Sequence, residues 1–486
     1  MQSANIPTPV LRHADSLPGP RGLPLLGNAL QLGGPQVHQQ LEAWAAEYGP
    51  IFRFSIARRK VVVVGDHGLV AAVLRDRPDG FRRTQRLEEI WLEMGLPAGL
   101  FGAHGDAWRS QRRMVMAAFG PEHVRQVHPA LVQVAQRLAG RWANAASEGR
   151  AIDLQRDLMR FTVDIIAGLA FGAEVNTLES DGDIIQQQLD KIFPALFSRI
   201  MKPVATWRFV RSAADRELER AVQAVRAAVD QFVAQARQRL ASQPARREQP
   251  QNLLEAMIVA ADQPDSGIDD SLVAGNVLTM LLAGEDTTAN TLAWMVHLLW
   301  QNPATLARAR SEVREVCADA LAPTLAQLAQ LDYVEACAHE TMRLKPVAPL
   351  LPLQALRDVQ IGDVLVPAGT IVTSLMRRDS ISEQHLPRAA AFEPERWLQP
   401  GTPAQGASSV RRISMPFGAG PRICPGRYLA LQEMKMAMAT LLGRFDIADV
   451  STPDGLPPRE HMAFTMAPVG LQMRLRNRPA GQPVAG

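Results

Sequence analysis

One loop near the C-terminal end restricts the fold of this chain more than any other segment. Residues 416–426 contain three prolines, three glycines and Cys424, and a run with helical periodicity follows from Arg427 to Leu442. Backbone N–H groups of such a loop, together with the positive end of the following helix, stabilise a thiolate at Cys424. A thiolate placed in this way is either a nucleophile or a single ligand to a metal.

The other cysteines and the histidines limit these choices. Only Cys317 and Cys337 accompany Cys424, which is too few cysteines for a disulfide framework or a four-ligand zinc site. The ten histidines are scattered, and none forms a motif that would supply a base to a nucleophilic thiol. A haem iron, in contrast, needs one cysteine, a glycine or aromatic surface for the macrocycle, and cations for the propionates.

Composition excludes several other classes of protein. A chain of 486 residues with 47% hydrophobic and 21% charged residues can bury a large core, and a net charge of +3 does not favour nucleic-acid binding. The N-terminus has no apolar stretch of signal-peptide length, and few cysteines fit a reducing compartment, so we expect a cytoplasmic location. The longest apolar run, Val277–Trp300, contains two acids within Gly284–Asn290, which predicts an interrupted core helix rather than a membrane anchor.

Apolar residues at three- and four-residue spacing dominate the chain beyond Gly105, so we predict a mainly α protein with a small β region. Ile51–Ile56 and Lys60–Val64 predict a hairpin, and Asp269–Trp300 predicts a long helix. We expect one domain over residues 17–477, between a flexible N-terminal tail, residues 1–16, and a flexible C-terminal tail, residues 478–486.

The cysteine loop resembles the haem-binding loop of the cytochrome P-450 superfamily of haem-thiolate monooxygenases. The matching pattern is Phe417-x-x-Gly420-x-Arg422-x-Cys424-x-Gly426. Further segments match the family in the expected order: Trp108-x-x-x-Arg112, Ala283-Gly284-Glu285-Asp286-Thr287-Thr288, Glu340-x-x-Arg343 and Pro394-Glu395-Arg396. The resemblance covers nearly the whole chain.

The resemblance implies haem b held between the long helix and the cysteine loop, with Cys424 as the axial ligand of the iron. It implies that the other residues near the cofactor are Trp108, Arg112, Ala283, Gly284, Pro416, Phe417, Gly418, Arg422 and Gly426. Glu340, Arg343 and Arg396 would form a buried structural cluster.

The resemblance also implies the reaction. In such a monooxygenase one oxygen atom of O2 enters a small apolar substrate by hydroxylation or epoxidation, while Asp286 relays protons and Thr287 steadies the distal oxygen. A haem-thiolate peroxygenase or isomerase and a non-catalytic haem sensor remain as alternatives. The first two would share the fold, although many of them depart from the acid–alcohol pair that is intact here.

Electron supply and assembly are further expectations. Only 62 residues follow Cys424, far fewer than a flavin domain needs, so we expect NAD(P)H to act through a separate ferredoxin or flavodoxin with its reductase. Arg109 and Arg113, with Arg427 and Lys435, form either a docking patch for that donor or ordinary solvated charges. We expect a monomer without nucleic acid and without a membrane anchor.

Overall fold

The computed structural model describes residues 11–119, 125–126, 128–172, 175–180, 184–202, 204–398 and 409–478. The α-helices within these residues are α1 Val37–Tyr48, α2 His67–Arg75, α3 Gln85–Glu93, α4 Gly105–Ala118, α5 His128–Ser147, α6 Leu154–Ile165, α7 Ile184–Met201, α8 Ala213–Ser242, α9 Ala245–Glu248, α10 Leu253–Ala261, α11 Asp270–Gln301, α12 Pro303–Val316, α13 Leu325–Ala329, α14 Asp332–Leu344, α15 Glu395–Leu398, α16 Val410–Ile413 and α17 Arg427–Arg444. The prediction of a mainly α protein is confirmed.

The strands are short and form four sheets among the described residues. They are β1 Arg12–His13, β2 Ile51–Ile56, β3 Arg59–Val64, β4 Phe81–Arg83, β5 Ile152–Asp153, β6 Leu350–Ala355, β7 Val359–Ile361, β8 Val364–Val366, β9 Ile371–Leu375, β10 Phe445–Ser451, β11 Glu460–Ala463, β12 Thr465–Pro468 and β13 Gln472–Asn477. The largest sheet has the strand order β2-β3-β9-β6-β4, and the smaller ones are β1-β8-β7, β10-β13-β5 and β11-β12. The expected hairpin is therefore the antiparallel pair of β2 and β3.

The central helix α11 runs for 32 residues without the predicted interruption. It begins with Asp269 as N-cap, whose side chain accepts a hydrogen bond from the N–H of Leu272. Its hydroxyl residues do not break it, because Thr287 Oγ1 donates to the carbonyl of Ala283, four residues back on the same helix, at 2.7 Å. Most of α11 is buried, so it has apolar residues on every side and a polar segment at its centre.

The chain ends only partly match the expected tails. Arg12 and His13 of the expected N-terminal tail pair in parallel with β8, and Ala14 is buried. These backbone and apolar contacts hold the described part of that segment against the β region. Residues 1–10 and 479–486 lie outside the described residues.

A buried ion pair at the end of α14 organises the irregular segment that leads to the cysteine loop. Glu340 and Arg343 are both fully buried, and Arg343 Nη2 lies 2.7 Å from Glu340 Oε1. The free donors of Arg343 reach three backbone carbonyl oxygens, at distances of 2.5–2.9 Å, which belong to Ser380, Ala389 and Ala391. A segment without regular structure thus has its carbonyl groups satisfied by one guanidinium.

Glu340 in turn collects donors from the segment around α15. Arg396 Nε donates to Glu340 Oε1 at 3.0 Å, and Trp397 Nε1 donates to Glu340 Oε2 at 2.9 Å. The structure therefore brings Glu340, Arg343 and Arg396 together, as expected from the resemblance, and adds Trp397 to the cluster.

Replacing Arg343 by Ala should leave the Glu340 carboxylate buried without its main partner. Breaking a buried pair in this way costs about 3–5 kcal/mol of unfolding free energy. Urea unfolding followed by circular dichroism measures the loss. The matched control is Arg357→Ala, which removes an exposed partner of Asp76 and should cost less than about 1 kcal/mol. Equal losses in the two variants would contradict the role given to Arg343.

Candidate functional site

The cysteine loop folds back on itself directly before α17. The N–H of Cys424 donates to the carbonyl of Phe417 at 2.9 Å, and the N–H of Gly418 donates to the carbonyl of Met415 at 2.9 Å. Gly418 has φ 74° and Gly420 has φ 71°, and a Cβ at Gly420 would stand 2.7 Å from Arg75 Cα. Glycine is therefore required at position 420 both by conformation and by the close approach of α2.

The thiol of Cys424 is partly buried at the start of α17. Burial raises its pKa, whereas a hydrogen bond from the N–H of Gly426 and the charges of Arg112 and Arg427 act in the opposite direction. The loop thus supplies the backbone donor and the cations expected around a thiolate, as the glycine at position 426 and the helix start predict.

Two residues of α4 approach this loop from the same helix face. Arg112 Nη2 donates to the carbonyl of Ile423 at 2.9 Å. Trp108 is buried, and the guanidinium of Arg422 lies 5.0 Å from the centre of its indole. The structure therefore brings Trp108, Arg112 and Arg422 together with Cys424.

Two further arginines, missed by the sequence analysis, surround Arg422. Arg83 at the end of β4 lies 4.0 Å above the ring of Phe101, and Arg77 is buried just beyond α2. Burial, and to a smaller extent the charges of neighbouring arginines, lower the pKa of Arg77, Arg83 and Arg422 to about 9 in each case. The only signal in the sequence is an arginine pair at the end of a short strand, which resembles an ordinary solvated surface.

These arginines carry donors with no acceptor in the described part of the chain. The atoms are Nε of Arg77, Nε of Arg83 and Nη1 of Arg422. Another donor group of Arg422, Nη2, reaches the carbonyls of Leu100 and Ala103. Clustered, buried cations with unsatisfied donors fit a bound dianion, because each charge is costly to bury without a partner.

The acid and the alcohol of α11 are both held by hydrogen bonds. Asp286 accepts from Thr465 Oγ1 of β12 and, at 2.6 Å, from Asn290 Nδ2. Burial raises the pKa of Asp286, and these two donors oppose that rise. Thr287 donates to the carbonyl of Ala283, so the two side chains do not contact each other through any hydrogen bond that the structure records.

Ala283 and Gly284, expected near the cofactor, have different surroundings. Ala283 is exposed on the same side of α11 as Thr287, one turn earlier. A Cβ at Gly284 would stand 2.2 Å from Ile166 Cδ1, so close packing on the segment after α6 explains this glycine.

An apolar cluster adjoins this face of α11. It includes Leu96 and Leu100 from the loop before α4, with Met280 and Phe464 packed against it. The N–H of Met466 donates to the carbonyl of Val347 at 2.8 Å, so the segment after α14 also meets β12. One thiol, a cationic group with free donors and an apolar wall together fit a haem, which presents an iron, two carboxylates and an apolar ring.

Two of the four basic residues considered as a docking patch are paired with acids. Arg109 pairs with Asp79 at 2.6 Å and with Asp106 at 2.8 Å. Lys435 is buried and pairs with Glu335. Ordinary paired charges are therefore the better interpretation.

Comparison with known proteins identifies the family of the chain. The family model described as Cytochrome P450 matches residues 17–475. A self-sufficient cytochrome P450 monooxygenase of Penicillium freii, CYP505E4, is 28% identical over 479 residues, which are 96% of this chain and 43% of that protein. A self-sufficient relative from Aspergillus niger, CYP505E5, is 28% identical over 98% of this chain and 44% of its own length.

A solved structure shares the fold. The crystal structure of the cytochrome P450DA heme domain has a TM-score of 0.81 and 23% identity, and the match covers 97% of this chain and 99% of that one. The expected P-450 fold is confirmed by this likeness and by the family match.

The expectation of a separate ferredoxin or flavodoxin with its reductase is wrong. The curated relatives are named self-sufficient, and this chain spans less than half of their length. The expectation had rested on the number of residues that follow Cys424, which does not indicate how such proteins receive electrons.

None of the helices in the described residues is long and apolar enough to cross a membrane. The polar centre of α11 lowers its hydropathy, since Glu285 and Asp286 lie within its most apolar part. Family, fold and site thus agree: the chain belongs to the cytochrome P450 family, whose cofactor is haem b and whose enzymes are oxidoreductases.

Proposed function

We propose that the protein is a monooxygenase that inserts one oxygen atom of O2 into a small apolar substrate, by hydroxylation or epoxidation, with electrons from NAD(P)H. The observation that carries the proposal is that the Cys424 loop meets a cationic cluster, which consists of Arg77, Arg83, Arg112 and Arg422. The Asp286–Thr287 pair lies on the adjoining central helix α11. When bound, haem supplies the activation of dioxygen, to which a thiolate ligand contributes electron density.

The residues of the chain divide the remaining work. Cys424 would bind the haem iron as a thiolate, which the N–H of Gly426 would stabilise. Phe417, flanked by Pro416 and Gly418, closes the loop through its carbonyl, which accepts from the N–H of Cys424, and these three residues would contact the haem.

The propionates of the cofactor are assigned to the cationic cluster. Arg422 would bind them together with Arg112 and Trp108, as the resemblance implies, and Arg83 and Arg77 join this set because of their free Nε donors. A charge-assisted hydrogen bond to each carboxylate would satisfy donors that otherwise have no acceptor.

Proton supply is assigned to α11. Burial raises the pKa of the Asp286 carboxyl, which suits it to accept and release a proton, and Thr287 would pass protons inward through its hydroxyl. The apolar wall near Leu100, Met280 and Phe464 excludes water and favours an apolar substrate.

Oxygen labelling tests the reaction. The haem-loaded protein, supplied with electrons from a photochemical reductant under 18O2, should place one labelled atom in a hydroxylated or epoxidised product from a panel of fatty acids, terpenoids and aromatics. Asp286→Asn should lower product per electron roughly tenfold or more, because the relay loses its acid. Product formed only when hydrogen peroxide is added would identify a peroxygenase and contradict the proposal.

Replacing Arg83 should have two opposite effects, one on the stability of the haem-free protein and one on the retention of haem, and both can be measured. Arg83→Leu removes a charge repelled by Arg422, so the haem-free protein should become more stable by about 1 kcal/mol in urea unfolding. The same variant should lose haem to apomyoglobin roughly tenfold faster, because one propionate contact is gone.

Arg109→Leu is the matched control, since Arg109 is exposed and paired with two acids outside the cluster. It should leave the rate of haem loss unchanged. A less stable haem-free Arg83→Leu protein with normal haem retention would contradict the propionate assignment.

A further inference from the structure

The turn of the β11–β12 hairpin consists of one residue under backbone strain. Ala463 pairs with Thr465, and Phe464 between them has φ 89°. A residue other than glycine adopts this conformation only at an energetic cost, so other contacts must hold it. A force on the Phe464 ring therefore acts on a turn that is already strained.

The base of this hairpin is fixed. Glu460, the first residue of β11, accepts from Arg377 Nη1 at 2.7 Å and from Lys345 Nζ at 2.6 Å. Its carboxylate also lies 2.7 Å from His38 Nε2. Because these contacts hold the base of the hairpin, its tip can rearrange more easily than its base.

The tip belongs to an aromatic cluster beside the apolar wall. The ring of Phe464 stacks on Phe193 of α7, with centroids 4.6 Å apart and an interplanar angle of 12°. Phe101, from the loop before α4, lies 5.9 Å from Phe464. A substrate that enters beside Met280 would press on this cluster, because interiors are close-packed.

The residue after Phe464 holds the catalytic acid. Thr465 Oγ1 donates to Asp286 Oδ2, while Asn290 Nδ2 donates to Asp286 Oδ1. Gln155 Nε2 fixes Asn290 by donating to its Oδ1 at 2.7 Å. Both oxygens of the carboxylate are thus engaged away from Thr287, and among the hydrogen bonds that the described residues make to this carboxylate, the one from Thr465 comes from outside the α11 helix.

The same region offers a route for protons from solvent. Asp190 of α7 lines a surface cavity of about 280 Å³ together with Gln155 and Arg156, which gives its carboxyl access to solvent. Burial and the charge of Asp286 raise the pKa of Asp190 to about 6, and Glu285 hydrogen-bonds its side chain. Asp190 precedes Phe193 by about one helical turn, so α7 carries both a member of the aromatic cluster and a carboxyl that interacts with Asp286.

We propose that Thr465 is a positioning residue for Asp286, and that an apolar substrate displaces Phe464 and thereby withdraws the Thr465 hydroxyl, freeing the carboxyl to serve Thr287. The inference rests on the function proposed above. The proton that leaves Asp286 passes to the Thr287 hydroxyl as that hydroxyl releases its own proton into the pocket, and a proton from solvent by way of Asp190 restores the Asp286 carboxyl. Protons then reach Thr287 only when a substrate occupies the space beside the apolar wall.

The test is an infrared difference titration of the Asp286 carboxyl in the haem-loaded protein, with Asp286→Asn identifying its band. Thr465→Val should raise the pKa of Asp286, because the hydroxyl that stabilises the carboxylate is lost. Thr465→Ser should restore the ordinary titration. Phe464→Gly, which relieves the strain at φ 89° while removing the ring, should raise the pKa in the same direction as Thr465→Val.

Non-additivity tests the coupling itself. The double variant Phe464→Gly with Thr465→Val should titrate like Thr465→Val alone, because both changes act through one hydroxyl. Thr440→Val is the matched control, since Thr440 is equally buried on α17 and its Oγ1 has no hydrogen-bond partner among the described residues. Thr440→Val should leave the infrared titration of the Asp286 carboxyl unchanged.

A normal titration in Phe464→Gly would overturn the coupling, and a normal titration in Thr465→Val would overturn the positioning role. The reduced carbon monoxide spectrum, recorded on the same samples, separates this inference from the proposed function. If the spectrum shows a normal thiolate ligand but the Asp286 titration is unchanged in the Thr465 and Phe464 variants, only this inference is rejected. A spectrum without thiolate character would reject the proposed function.

Discussion

The buried pair of Glu340 and Arg343 is the interaction on which the site depends. Regular structure cannot place the cysteine loop, because the chain between β9 and α17 contains only short helical turns among its described residues. Arg343 compensates by donating to carbonyls of that segment, and Glu340 receives Arg396 and Trp397 from its far end. A fully desolvated ion pair is retained here because its donors and acceptors satisfy a backbone that lacks internal partners.

A second constraint is electrostatic. The loop and its neighbours assemble Arg77, Arg83 and Arg112 around Arg422, two residues before the partly buried thiol of Cys424, with unpaired guanidinium donors in the described structure. Burial first, and mutual repulsion second, disfavour the charged forms of this cluster, as the lowered pKa values of Arg77, Arg83 and Arg422 indicate. A cofactor that carries two carboxylates and accepts a thiolate turns this destabilising arrangement into a binding site.

The sequence predicted the parts of this design that depend on local pattern. Helical periodicity located α11, and the glycines and prolines around Cys424 predicted a thiolate-stabilising loop. It did not predict Arg83, which resembles a surface residue until β4 pairs with β6 and carries it inward. Nor did it predict the contact of Thr465 with Asp286 or the Glu460 network, because both join residues more than 80 positions apart and follow only from tertiary packing.

The central claim is that Cys424 is the thiolate ligand of a haem held by this loop. The reduced carbon monoxide difference spectrum of the haem-loaded protein tests it most directly, with Cys424→Ser measured beside it. The account predicts the strongly red-shifted Soret band of a thiolate-ligated haem in the parent protein and its loss in Cys424→Ser. A parent spectrum without that band, or an unchanged band in Cys424→Ser, would contradict the account.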